Sequence, residues 1–260
     1  SASVAYNKAI SGNSGKGGSG GGVYVESGTF DMNDGTISGN KAKNEKTPND
    51  TNGGGVFVNS GKFEMNGTSS VTGNTADTYG GGVFVNGGTF NMNDGEISSN
   101  TAPNGGGGVY ASSGQFNMND GTISGNTGNG VFVNGGTFTV SNTPTVTGNT
   151  ITKNGADSNV YLMGSAYITI GKINPTGNAS IGVTKTVDNG VFAQNVSTDC
   201  SDKFFSDDNT REVKYKDNQL VLKNKETQRP THTHNWTYEA NNATITAACN
   251  GAGDCNFGRN

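Results

Sequence analysis

The chain has 260 residues, of which 43 are glycine and only 30% hydrophobic, and its net charge is −4. That composition excludes a large apolar core. It offers neither the basic stripe that holds nucleic acid nor the apolar run of about 18 residues that a membrane helix needs. By itself it points to disorder, because so little apolar surface cannot offset the entropy of ordering the chain. A fold that buries a few apolar residues at strict intervals is the alternative, so internal repeats decide the matter.

In chain order, a partial copy, AISGN, ends at Asn13 and predicts a rung before Val23. The first full copy, GGGVYVESGTFDMNDGTISGN, ends at Asn40, and later copies begin at Val56, Val83, Val109 and Val131. Val and Phe stand seven residues apart in all five: Val23 and Phe30, Val56 and Phe63, Val83 and Phe90, Val109 and Phe116, Val131 and Phe138. Ile or Val precedes the closing Asn by three residues, whereas the gap from Asn to the next Val varies from 5 (Asn126 to Val131) to 16 (Asn40 to Val56). Each rung therefore has three fixed strands and one corner of free length. Apolar residues alternate within the strands (Val23 and Val25, Phe30 and Met32), which is the period of a β-strand with one buried face. Stacking such rungs places Val on Val, Phe on Phe and Met on Met inside a coil, with neighbouring backbones about 4.8 Å apart. The predicted fold is all-β: a right-handed parallel β-helix with three strands per rung and an irregular C-terminal cap. Turns such as Asn33-Asp34-Gly35 supply residues that tolerate positive φ.

The rung-ending amides Asn13, Asn40, Asn74, Asn100, Asn126 and Asn149 are expected to form a structural ladder, each bonded to the next rung's amide. Beyond Asn149 the repeat weakens. Val160-Tyr161-Leu162 reads as a sixth V-aromatic-aliphatic strand, and residues 167–173 and 179–183 read as irregular strands. Phe204, Phe205 and residues 212–222 are expected to cover the open end, since a bare terminus is an aggregating edge. The predicted domains are 1–226, with repeats to about 163 and a cap over 164–226, and 227–260, a linker and the start of a short β module. The three cysteines, Cys200, Cys249 and Cys255, lie outside the repeats, so disulfides do not hold the main body together. Ser1 opens the sequence without a leader-like segment, as a trimmed or partial chain would.

The copy at residues 80–100, GGGVFVNGGTFNMNDGEISSN, resembles the repeats of large parallel β-helix surface proteins of anaerobic bacteria. Residues 179–222, with ASIGV, FFSDDN and a final LVL, look like the closing segment of those helices. HTHNWTYEANNATITAAC, from His232, is similar to a short module that follows in such proteins. The resemblance implies secretion to the bacterial surface and an adhesin-like role. Neither a membrane-barrel domain nor a sorting signal after Gly258 appears in the sequence, so the mode of anchoring stays open.

Pectin lyases and polygalacturonases share this architecture, so a carbohydrate-active enzyme is the rival. Such chemistry needs clustered carboxylates with a basic neighbour. The outward positions of the F-x-M strand are Asp31, Glu64, Asn91, Asn117 and Thr139, and no Arg or His precedes Arg211. No catalytic residue, cofactor or metal is therefore expected, and the chain is read as a non-enzyme. Asp94 and Asp120 occupy equivalent turns and read either as turn chemistry or as two Ca²⁺ oxygens. His232 and His234 with Cys249 and Cys255 read as zinc ligands, a loop disulfide or free thiols. Tyr24, Phe57, Phe84, Tyr110, Phe132 and Tyr161 alternate with the inward valines and so point outward, either as a protective stack or as a platform for glycans or partner proteins. The longest corner, 41–52, brings Lys41, Lys43, Glu45 and Lys46 beside that stripe, where insertions of a solenoid often bind.

Overall fold

The computed structural model describes residues 2–5, 7–11, 18–44, 51–173, 177–185, 190–226, 236–241 and 244–249. It divides into two compact units, Ser1–Asn224 and Lys225–Asn260.

The first unit is a parallel β-helix in which each strand of the repeat stacks on its equivalents. The V-aromatic-V column is β3 (Val23–Val25), β7 (Val56–Val58), β11 (Val83–Val85), β14 (Val109–Ala111), β17 (Val131–Val133) and β20 (Val160–Leu162). The F-x-M column is β4 (Thr29–Met32), β8 (Lys62–Met65), β12 (Thr89–Met92), β15 (Gln115–Met118), β18 (Thr137–Asn142) and β21 (Ile168–Ile173). The T-I-S column is β1 (Ser3–Ala5), β5 (Thr36–Ser38), β9 (Ser70–Thr72), β13 (Glu96–Ser98), β16 (Thr122–Ser124) and β19 (Thr145–Thr147). Register is the one that puts like on like: Val83 on Val56 and Val109, Phe90 on Phe63 and Phe116, Ile97 on Val71 and Ile123.

The apolar positions of the middle rungs are fully enclosed, Val83, Phe90, Met92 and Ile97 each at 0% exposure. Phe63, Phe90, Phe116 and Phe138 stack with centroids 4.8–5.0 Å apart. A chain poor in hydrophobics is thus ordered because those of the repeats lie in continuous buried columns. The Gly run before each Val has a local reason: a Cβ on Gly55 or Gly82 would meet the amide nitrogen of Asn74 or Asn100 at 3.0 Å.

The corner is more ordered than a free loop. Lys41–Asn44 form β6, paired in parallel with β2 (Lys8–Ser11) and β10 (Thr75–Ala76). Ala42, Ala76 and Ala102 make their own buried cluster there, so the K-A-K-N alternation turns Lys41 and Lys43 outward.

The closing strand β22 (Ser180–Lys185) shows what the corner is. Its first residues pair with β19 and its last with β20, with Gly182 between. The T-I-S and V-aromatic-V columns are therefore one sheet, and each corner is an excursion from it. Beneath β22 lies β24 (Phe204–Ser206). The F-x-M column continues to β23 (Val191–Ala193), then turns antiparallel through β26 (Gln219–Asn224) and β25 (Arg211–Lys216), which covers that edge. In the second unit β27 (Trp236–Asn241) and β28 (Thr244–Cys249) form an antiparallel hairpin. Residues 227–235 of the expected linker and module lie outside the described residues.

Candidate functional site

The asparagine ladder stands where each corner leaves the sheet. The Oδ1 of Asn74 accepts both the backbone N–H and the side-chain amide of Asn40 (2.9 and 3.0 Å), and Asn100, Asn126, Asn149 and Asn159 repeat this rung by rung. The Nδ2 of Asn40, Asn74, Asn100, Asn126 and Asn149 also reaches a carbonyl of the rung before, as Asn74 does with Ile37 at 2.9 Å. These amides are 0–1% exposed, so water cannot replace the bonds.

The two ends of the ladder differ from the sequence expectation. Asn13 lies outside the described residues, and Asn7 bonds to Asn40 instead. Val4 pairs with Ile37, which sets Asn7 against Asn40, and the recurring N-K-A of residues 7–9 and 40–42 marks the register. At the other end Asn159 donates its backbone N–H and its amide to the carboxylate of Asp207 (2.9 and 2.6 Å), which also accepts from the Thr184 hydroxyl. Burial holds the Asp207 carboxyl above the ordinary carboxylate range, against the pull of these donors.

Outside the coil, the aromatic stripe is stacked as the alternation predicts. Centroids of Tyr24, Phe57, Phe84, Tyr110, Phe132 and Tyr161 follow one another at 4.9–5.1 Å, with interplanar angles of 4–25°. The stripe is not an open platform along its length, however. Tyr24 is 49% exposed, but Phe57, Phe84 and Tyr110 are only 5–8% exposed, and Phe132 and Tyr161 are half-buried. The corners cover the middle: Tyr79 packs on Tyr110 (4.5 Å between centroids), and Gly105 lies so close to Phe132 that a Cβ would meet its ring at 2.7 Å. Burial, with Tyr79 beside it, pushes the Tyr110 hydroxyl up to about 12. Burial followed by Glu26 raises that of Tyr24. Sequence alternation gives the direction of a ring and says nothing of a segment that folds back over it.

Of the corner residues, Lys41 and Lys43 are exposed on β6, and Glu45 and Lys46 lie outside the described residues. The carboxylates are engaged locally. Asp34 accepts from the backbone and hydroxyl of Thr68, Asp94 from the Gly95 N–H, and Asp120 from Thr143 and Asn142. Glu64 is drawn up by burial but ends below its usual range because Lys62, Asn91 and Asn93 all bond to it. Among the described residues no group of three or more His, Cys, Asp or Glu converges. Asp94 and Asp120 thus each have their own protein donors. His232, His234 and Cys255 lie outside the described residues. Cys200 is half-buried against the core, and burial, with Asp199 and Asp202 beside it, raises its thiol to about 11. The chain matches no protein-family model, no curated protein and no solved structure.

Proposed function

We propose that this β-helix is a non-catalytic module of a bacterial surface, a rigid spacer that also adheres to glycans or partner proteins along its aromatic flank. The observation that carries the reading is how the polar side chains are used. The asparagine ladders and the carboxylates of Glu26, Asp34, Glu64, Asp120 and Asp207 form bonds between rungs, which stiffen the stack, and Glu64, Asp120 and Asp207 are each held by several donors. Recognition then belongs to the parts of the flank that the corners leave open: Tyr24 at one end, Phe132 and Tyr161 at the other, and the lysines of β6. Half-exposed rings among polar neighbours suit the apolar faces of sugars.

A glycan array with the native chain and with a Tyr24→Ser, Tyr161→Ser variant tests this. Binding should fall at least fivefold in the variant while the melting temperature changes by only a few degrees. Release of reducing or unsaturated sugars from a polysaccharide panel would instead establish the enzymatic rival.

A further inference from the structure

Two departures from the repeat meet at one place. In all five full copies four residues separate the inward residue ending the V-aromatic-V strand from the next inward Phe, as between Val133 and Phe138. Between Leu162 and Ile168, their partners in register, there are five. The longer turn no longer follows the turn above it throughout: the Ala166 N–H bonds within the turn, to the Met163 carbonyl at 3.0 Å. A shallow cavity of about 330 Å³ opens between the two turns, at the lower end of the about 300–1,000 Å³ of small-molecule sites.

The second departure is Lys185. It pairs in register with Leu162 and so stands in the column that holds Val25, Val58, Val85 and Val133 above it. It is 2% exposed. Its Nζ donates to the carbonyls of Gly164 (2.6 Å) and Ala166 (2.7 Å) and lies 4.6 Å from the centre of the Tyr167 ring. A buried ammonium in an apolar column is costly to desolvate, and here it fixes the backbone and the ring that form one wall of the cavity.

We propose that this cavity binds one neutral pyranose unit of a polysaccharide. Tyr167 and the half-exposed Met163 offer apolar contact to ring C–H groups, while Asn134, Thr137, Ser165 and Thr169 offer an amide and three hydroxyls to sugar hydroxyls. No lining side chain is charged, which favours an uncharged ligand. The turn is held before any ligand arrives, so little ordering accompanies binding. The inference rests on the glycan-binding reading above and places one sugar contact at a position the flank residues do not include.

Saturation-transfer NMR and calorimetry with mannohexaose, xylohexaose and cellohexaose, with a galacturonate hexamer as the charged control, test it on the full chain. At least one neutral hexaose should bind, and Tyr167→Ala and Asn134→Ala should each weaken it tenfold or more without shifting the melting temperature by more than a few degrees. Lys185→Met, which restores the apolar column, should fold and still lose binding. Preference for the galacturonate overturns the neutral assignment. Binding of a neutral hexaose that both cavity variants retain within twofold overturns the cavity and leaves the flank reading standing. Absence of binding to any hexaose by the native chain overturns the cavity proposal, while the flank reading stands or falls separately on the glycan array.

Discussion

Asn91 and Asn100 belong to one rung, carry the same amide and stack at the same spacing, yet their ladders run in opposite directions. Inside, Asn100 donates toward the C-terminal end, to Asn126, and the series ends on Asp207. On the surface, Asn117 donates to Asn91 and Asn91 to Glu64, toward the N-terminal end. Two neighbouring series do the same: Asn119 to Asn93, then Asn66 and Asn33, and Asn86 to Asn59, then Glu26. What orients them differs. An interior Oδ1 must accept a backbone N–H, so the backbone sets the direction. The surface series that end on Glu64 and Glu26 take their direction from a carboxylate that can only accept, and in the third Asn93 also donates to Glu64. An interior bond also has no substitute, whereas water can replace a surface bond. The lesson is that asparagine stacking stabilises where the partner is a buried backbone group, and mostly decorates elsewhere.

The strongest way to break that contrast is Asn100→Ala. It removes the acceptor of the buried Asn74 N–H, one of the two bonds of the Asn74 amide and the amide donor to the Val71 carbonyl, so a loss of about 2–4 kcal/mol in urea unfolding is expected. An unchanged midpoint would refute the interior role. Asp207→Asn comes next, at about 1–3 kcal/mol, because an amide cannot accept all three donors of the carboxylate. Its pH dependence sharpens the point. Burial raises the folded pKa of Asp207 above the unfolded value, so the native chain takes up the proton more readily. Its contribution to stability is therefore greatest below the unfolded carboxylate pKa, falls as pH rises through the window up to the folded pKa, and is flat above it. Unfolding midpoints between about pH 4 and pH 7 should carry this falling component in the native chain and lack it in the variant; matching slopes would refute it.

Ser99→Gly should have a smaller and opposite effect. Ser99 has φ 56°, where its equivalents Gly73 and Gly125 have 64° and 62°. Relieving a left-handed L-residue, less the entropy of an added glycine, should stabilise by roughly 0.5–1 kcal/mol, read as a rise in melting temperature. The smallest effect belongs to Asn91→Ala, on the surface series: under about 0.5 kcal/mol. A loss as large as that of Asn100→Ala would abolish the distinction between the two ladders.

The seven-residue Val–Phe interval disclosed the columns because it counts the residues of a strand and a turn, and the Asn positions disclosed the ladder from Asn40 to Asn149. The ends were less legible. Asn7 is set by the pairing of Val4 with Ile37, and Asp207 reaches Asn159 across 48 residues, so neither belongs to a repeated motif. Burial of the stripe was hidden for a related reason: Tyr79 and Gly105 sit in corners whose length varies, where periodicity carries no information. Lys185 was hidden because its column could be identified only once β22 was seen to serve two columns at once.

That double service of β22 bears on how such a chain changes length. β22 runs from one column to the other without a corner, and a Cβ at Gly182 between them would run into the Asn159 amide and the Asp207 carboxylate, so this closing strand differs from every copy above it. Above it, the intervals from Val83 to Val109 and from Val109 to Val131 are 26 and 22 residues, and each copy presents the same donors and acceptors to both neighbours. An in-frame duplication or deletion between the near-identical copies would therefore add or remove about 4.8 Å of reach and leave the terminus untouched. Recombination can tune how far the module extends without the ending having to evolve again.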